Sequence, residues 1–394
     1  MAIAWRLIPS GLDRRGIGVL SFGHLTVDSC QGVVPALMPF MVAQRGYTFA
    51  QAGALMLFSS LGSSLLQPLL GVFADRIRAT WLMWSGALIA AIGMGSAGVM
   101  PTYLQTGAAL MVGSVGVAMF HPEAVRYASY VSHASGRRGT GMSVFAVGGA
   151  AGWALGPLLL TGAVLLVGLR GTVLVAVLPL VASALLLANH AYLEQFRPDA
   201  ATEQHEIGEG TNHWGVFALA AGAASTRTGL QFGLQAFVPL YIWRVLETSE
   251  GVGNASASVL MVFGAAGTLI GGRLADRIGF RPVVVRSLAV VVPLVLAITV
   301  TPLVGVFALM ALIGFAMEMN FYPLVVIAQS ALPGHVGFAS GVILGLSIGA
   351  GAGMTALLGV IADAHGLETA IQAVAGLGVV AFALAFALPR REPA

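Results

Sequence analysis

Twelve apolar runs, separated by short polar joints, fill this chain from one end to the other. They cover roughly 17–43, 50–73, 81–100, 103–130, 140–167, 171–190, 214–244, 254–275, 283–301, 303–331, 337–362 and 367–388. A helix of about 20 apolar residues spans the hydrocarbon of a bilayer. Each run therefore predicts one membrane-spanning helix, and the chain reads as an all-α integral membrane protein with twelve transmembrane helices. The one long polar connection is 191–213, with Glu194, Arg197, Asp199, Glu203, Glu206 and Glu209. It predicts two six-helix bundles, 1–190 and 214–394, joined by a 191–213 loop.

The polar joints and the runs repeat at a fixed distance. Gly71-Val-Phe-Ala-Asp75-Arg76-Ile returns 201 residues later as Gly272-Arg-Leu-Ala-Asp276-Arg277-Ile. Gln31 and Pro39 match Gln231 and Pro239, 200 residues on; Phe120 and Pro122 match Phe321 and Pro323, 201 on; Gly141 and Gly149 match Gly341 and Gly349, 200 on. An ordered series at one register is the mark of a duplicated unit, so the two bundles are expected to be pseudo-symmetric.

Composition strengthens this reading. Hydrophobic residues make up 57% of the chain and charged residues 9%, against roughly a quarter charged in soluble domains. Most of the exterior must face lipid. The 52 glycines suit close helix packing in that solvent. The basic residues are all arginine. Fourteen fall on one side of the predicted bundle (Arg6, Arg14, Arg15, Arg76, Arg78, Arg137, Arg138, Arg197, Arg273, Arg277, Arg281, Arg286, Arg390 and Arg391), and only Arg45, Arg170 and Arg244 on the other. The positive-inside rule then puts both termini and the central loop in the cytoplasm. The net charge of +3 is spread over short loops, which excludes a nucleic-acid partner. Cys30 is the single cysteine, so there is no internal disulfide. No Cys/His spacing of a metal site occurs, and neither metal nor cofactor is expected. Met1 to Arg15 has no small-residue cleavage site and reads as the lead-in to a retained first helix.

Polar side chains inside the runs are the candidate chemistry, because an Asp or Arg at a helix centre costs roughly 2.5–3.5 kcal/mol. In the first run His24, Asp28 and Gln31 follow at spacings of four and three and share one helix face. A His and an Asp one turn apart can exchange a proton; the alternative is a structural pair that fixes helix packing. In the fourth run Glu123 and Arg126 can pair at i, i+3, beside Pro122, which frees a backbone carbonyl, and His121, which points away from Glu123 on an ideal helix. This is either a titratable carboxylate beside an anion-binding arginine or a self-neutralised ion pair. In the seventh run Arg227, Gln231 and Gln235 form a stripe suited to an anionic ligand, unless Arg227 snorkels to lipid phosphate. In the tenth run Glu318 and Tyr322 share a face while Asn320 points elsewhere. Glu318 is either a second proton site or the partner of Arg227. The proton-coupling candidates are thus Asp28, His24, Glu123, His121 and Glu318. The substrate-binding candidates are Gln31, Arg126, Arg227, Gln231, Gln235, Asn320 and Tyr322. Gly71, Asp75, Arg76, Gly272, Asp276 and Arg277 are read as gating elements, in which an Asp at a helix start can cap free amides. The fifth run carries Gly148-Gly149-x-x-Gly152-x-x-x-Gly156-Pro157, either a pliable helix between the halves or ordinary small-residue packing.

The duplicated six-plus-six pattern and the two Gly-x-x-x-Asp-Arg joints resemble the major facilitator superfamily of secondary transporters over nearly the whole chain. The first joint departs from that family's pattern, with Arg78 where glycine is usual and Ala79-Thr80 in place of further basic residues. More narrowly, Gly23-His24-Leu25-x-x-Asp28-x-x-Gln31-Gly32-x-x-Pro35-Ala36-Leu37-x-Pro39 and Phe120-His121-Pro122-Glu123-Ala124-x-Arg126 are similar to the first and fourth helices of the fosmidomycin-resistance transporters. The resemblance implies a multi-pass protein of a bacterial inner membrane that works as a monomer. It implies a proton-coupled antiporter exporting small drug-like or anionic compounds such as fosmidomycin by alternating access. Its partners would be a small-molecule substrate, protons and the lipid bilayer. Three other readings are a proton-coupled importer of a small organic anion, an intramembrane enzyme using His24 and Asp28, and a non-transporting sensor. The enzyme reading lacks the further polar partners or metal that such a pair needs, and the sensor reading lacks a soluble signalling domain. No catalytic residue is expected.

Overall fold

The computed structural model describes residues 11–74, 79–136, 138–197 and 211–390. Every regular element among them is helical: α1 Arg14–Arg45, α2 Phe49–Ala74, α3 Trp81–Ser96, α4 Tyr103–Ala134, α5 Arg138–Val167, α6 Thr172–Val175, α7 Val177–Ala188, α8 His190–Glu194, α9 Trp214–Arg244, α10 Glu250–Ile278, α11 Phe280–Ala297, α12 Leu303–Glu318, α13 Phe321–Ala331, α14 Val336–Gly341, α15 Ser347–His365 and α16 Leu367–Ala387.

Among the described residues, nine stretches are long and apolar enough to cross a membrane. One of them, Gly141–Ala188, is 48 residues long and holds two of the runs read from the sequence. It folds back at Gly168, whose φ of +66° is a left-handed conformation that glycine adopts without strain. Two more runs appear as helices that miss the criterion for different reasons. α3 is apolar but only 16 residues long. α9 has 31 residues, but Thr226, Arg227, Thr228, Gln231 and Gln235 dilute its apolar character. The twelve runs are thereby all accounted for.

The chain divides into two compact units, Met1–Val33 with Leu69–Glu206, and Val34–Pro68 with Ile207–Ala394. In the first, α3 and α4 pack backbone on backbone. A Cβ at Gly93 would run into the Gly113 backbone, and one at Gly116 into that of Ala90. Such closeness lets dispersion and interhelical hydrogen bonds act where lipid supplies no hydrophobic drive. Ser183 Oγ donates to the Trp84 carbonyl at 2.7 Å and Thr172 Oγ1 to that of Gly95 at 2.8 Å. The start of α1 is pinned to the α7–α8 region. Tyr192 Oη donates to Asp13 Oδ2 at 2.5 Å, and Arg15 Nε donates to Asn189 Oδ1 at 2.8 Å. The Arg15 guanidinium lies 4.2 Å from the Tyr192 ring centroid. The bond to Asp13, and after it burial, holds the Tyr192 hydroxyl above its ordinary pKa of 10.0.

In the second unit α10 and α12 approach in the same way, Gly267 against the Phe315 carbonyl and Gly314 against that of Leu260. The segment 34–68 belongs here through its polar contacts. Thr48 and Gln51 form a reciprocal capping box: Gln51 N donates to Thr48 Oγ1 at 3.1 Å and Thr48 N to Gln51 Oε1 at 3.0 Å. Asp363, near the end of α15, then accepts the next two free amides of α2, Phe49 N on Oδ1 and Ala50 N on Oδ2, both at 2.8 Å. Asn254 of α10, fully buried, donates to the Ala36 carbonyl at 2.9 Å. A helix N-terminus leaves amides without intrahelical partners, and here a carboxylate from far along the chain takes two of them.

Candidate functional site

Polar side chains gather in two clusters, one in each unit. In the first unit the centre is Asp28 on α1, 5% exposed. His24 Nε2 lies 3.3 Å from its Oδ2, as the i, i+4 spacing allows. His121 Nε2 arrives from α4 and lies 3.0 Å from Oδ1. Gln31 Nε2 donates to the same oxygen at 3.1 Å. The remaining ring nitrogens are also engaged, His24 Nδ1 with the Phe145 carbonyl and His121 Nδ1 with the Val117 carbonyl, each at 2.9 Å. A carbonyl only accepts, so Nδ1 carries the hydrogen on both rings. A neutral imidazole then has only a lone pair at Nε2. Two lone pairs aimed at a carboxylate repel it, so the arrangement calls for positive charge between them.

The cluster is fixed by its surroundings. The His24 ring stacks on Phe145, centroids 4.1 Å apart and planes 18° from parallel, and meets His121 edge-on at 5.3 Å. The glycines of α5 form the wall. A Cβ at Gly148 would strike the Ser21 carbonyl, at Gly152 that of Leu25, and at Gly156 that of Ser29. A Cβ at Gly149 would lie 2.5 Å from His24 Nε2 and Cε1 and 2.7 Å from Asp28 Oδ2. The glycine pattern of the fifth run is thus the face on which α1 rests. Two residues along α4 from His121, Glu123, 1% exposed, pairs with Arg126 Nη1 at 3.2 Å.

In the second unit the centre is Arg227 on α9, 2% exposed, so it does not snorkel to a lipid headgroup. Nε donates to Asn320 Oδ1 at 3.1 Å, Nη1 to Gln231 Oε1 at 2.7 Å and Nη2 to the Met317 carbonyl at 3.3 Å. Glu318 Oε1 lies 2.7 Å from Nη2 but off the line of its N–H bonds, so this contact is Coulombic rather than a hydrogen bond. The Phe321 ring adds a cation–π contact, 5.1 Å from the guanidinium carbon. Asn320 also donates to Ser287 Oγ at 3.0 Å.

Several expectations change here. Asn320 does not point away: the tenth run breaks at Met319–Asn320, between α12 and α13, and the break turns Asn320 into the Arg227 cluster. Tyr322 is 47% exposed and its ring packs edge-on against Phe321 at 5.3 Å, on the other side of that break from Glu318. Gln235, buried, donates to Met261 Sδ at 3.3 Å rather than joining Arg227. Gly272, Asp276 and Arg277 lie in the last turns of α10. Asp276 is exposed at that helix end, so it cannot cap the start of its own helix. Gly71 lies in the last turn of α2, while Asp75 and Arg76 lie outside the described residues. Arg281, counted from the sequence only toward orientation, donates through Nε and Nη2 to the Leu388 and Phe386 carbonyls at 2.7 and 2.6 Å and so closes the end of α16. Phe145 and Asp363 were not singled out from the sequence. The one signal that could have found Asp363 is its place as an acid at the edge of an apolar run; Phe145 offers none.

The family model of the Major Facilitator Superfamily matches residues 20–354 and 231–394. The chain is 32% identical over 361 residues to the fosmidomycin resistance protein of Escherichia coli, covering 89% of this chain and 87% of that one. It is 29% identical over 378 residues to the uncharacterized MFS-type transporter YfnC of Bacillus subtilis, covering 94% and 92%. Among solved structures, a bacterial homologue of the human lysosomal transporter Spinster superposes with a TM-score of 0.76 at 16% identity, over 94% of this chain and 95% of that one.

Proposed function

The chain belongs to the Major Facilitator Superfamily, and from that premise we propose a proton-coupled exporter of small anionic or drug-like compounds. Membership makes it a multi-pass membrane transporter of small molecules with the twelve-helix, two-bundle fold, and not an enzyme. The observation that carries proton coupling is Asp28 between two imidazoles whose Nδ1 atoms are committed to backbone carbonyls. Protons are the simplest positive charge for that position, and their gain or loss changes the charge of a buried centre at large cost.

The substrate side of the proposal rests on the arginines. Arg126 and Arg227 are each paired with a carboxylate, Glu123 and Glu318. Protonation of Asp28 or Glu123 alternates with binding of an anionic substrate at the Arg126 and Arg227 forks, so that proton entry and substrate exit exclude each other. Gln31, Gln231, Gln235, Asn320 and Tyr322 complete the proposed set. Gln235 Oε1 is a buried acceptor with no hydrogen-bond partner among the described residues, a supporting feature, since leaving such a group unmet costs about 1–3 kcal/mol. In this reading the halves 1–190 and 214–394 rock one against the other, with both termini in the cytoplasm of a bacterium whose inner membrane holds the protein as a monomer. The Asp75-Arg76 and Asp276-Arg277 joints act as gates. The resistance named for the Escherichia coli relative supports export over import.

Proteoliposomes carrying an internal pH dye test the coupling. Adding fosmidomycin to the wild-type protein should move protons, and Asp28→Asn should abolish that signal while substrate binding persists. An unchanged signal in the variant, or none in the wild type with several small anions, sinks the proposal. Drug tolerance of a transporter-depleted bacterium expressing the protein separates export from import.

A further inference from the structure

We infer that His24, Asp28 and His121 also form a binding site for one divalent transition-metal ion of the zinc class. Their ligand atoms all lie within 4.8 Å of one another; His24 Nε2 is 3.3 Å from Asp28 Oδ2 and His121 Nε2 is 3.0 Å from Oδ1. Bonds of about 2.0–2.1 Å at tetrahedral angles span roughly 3.3 Å between neighbouring ligand atoms, so one ion fits with small side-chain shifts.

The outer contacts agree. Metal-binding histidines almost always commit the second ring nitrogen to a carbonyl, carboxylate or water, which fixes the ring and leaves the other lone pair for the ion. Both rings here do so, through Phe145 and Val117. Stacking on Phe145 and the Gly149 wall hold His24 in place. Two imidazoles and one carboxylate select Zn²⁺, Co²⁺ or Ni²⁺ over Mg²⁺ or Ca²⁺, which prefer oxygen ligands. Three protein ligands leave the fourth tetrahedral position to water or to a substrate oxygen. Gln31 Nε2 donates to Asp28 Oδ1 at 3.1 Å and so helps fix the carboxylate. The site stands on its ligand geometry and holds whether or not protons drive transport.

The test uses full-length, tag-free protein in detergent with Co²⁺ as the probe. One Co²⁺ per chain should bind with the intense visible absorption of a four-coordinate site. Asp28→Asn and His121→Gln should each weaken binding at least tenfold, roughly the least expected for a lost ligand. His365→Gln, at the end of α15, should leave it unchanged. Absence of the four-coordinate bands, or binding undiminished in both ligand variants, overturns the inference. X-ray absorption of the Zn²⁺-loaded wild-type protein reads the ligands without any variant. Two imidazoles and an oxygen at about 2.0–2.2 Å support the site, and an all-oxygen or thiolate shell overturns it. Since the assay reads metal without transport, its failure leaves proton coupling standing, and the reverse holds as well.

Discussion

Gly149→Ala is the smallest change that should disable the His24–Asp28–His121 cluster without removing any of its atoms. The added methyl would lie 2.5 Å from His24 Nε2, against about 3.4 Å for ordinary contact. The imidazole or the helix must therefore give by about 0.9 Å, a distance that forfeits up to about half of a close contact. His24 is held on its far side by the stack on Phe145, so the strain falls on the 3.3 Å contact with Asp28. Overpacking of this kind costs about 1–3 kcal/mol. Gly162→Ala on the same helix is the control, because a methyl there meets nothing within 4 Å and should raise helix stability by about 0.5–1 kcal/mol. The assay pairs detergent melting with substrate-driven proton movement in liposomes. Gly149→Ala should melt earlier and lose coupling, while Gly162→Ala keeps both. If the two variants behave alike, the view of α5 as a wall for the cluster is wrong.

Glu318→Ala leaves Arg227 buried without its carboxylate, and should cost about 3–5 kcal/mol; Glu318→Gln should cost less, and equal melting of both with wild type would refute the pairing as a stabilising contact. Asp363→Asn weakens the cap on α2 by about 1 kcal/mol, so the Phe49 and Ala50 amides should exchange hydrogen roughly fivefold faster, and unchanged rates would contradict the contact. The Tyr192 pKa is raised in the folded protein, so its contribution to stability is complete below pH 10 and is lost as pH rises through the folded value. Tyr192→Phe should remove that alkaline step from the melting profile, and a step of the same size in the variant would assign it elsewhere.

Much of the fold was legible because lipid demands long apolar runs, and duplication wrote the same joints twice. The His24, Asp28 and Gln31 face was legible for a similar reason: helix periodicity alone sets it. The arrival of His121 at Asp28 was not, since it depends on how α4 packs against α1. The glycines of α5 were visible as a pattern, but what they press against was not. Asn320 was misplaced because periodicity assumes an unbroken helix, and the tenth run breaks where Asn320 sits. Asp276 was read as a cap, yet a sequence does not say which helix end a carboxylate reaches.

The contact between Asp363 and the start of α2 has a consequence in biosynthetic time. Its two ends are 314 residues apart. At about 5–20 residues per second, a ribosome needs roughly 15–60 s to make the intervening chain. The segment 34–68 enters the membrane with the first helices, yet its partners Asn254 and Asp363 are among the later residues made. Until then the amides of Phe49 and Ala50 must be held by water or lipid headgroups. A nascent chain arrested before residue 363 would therefore keep this early segment undocked, and protease access to 45–50 in such arrested chains would report the moment of docking.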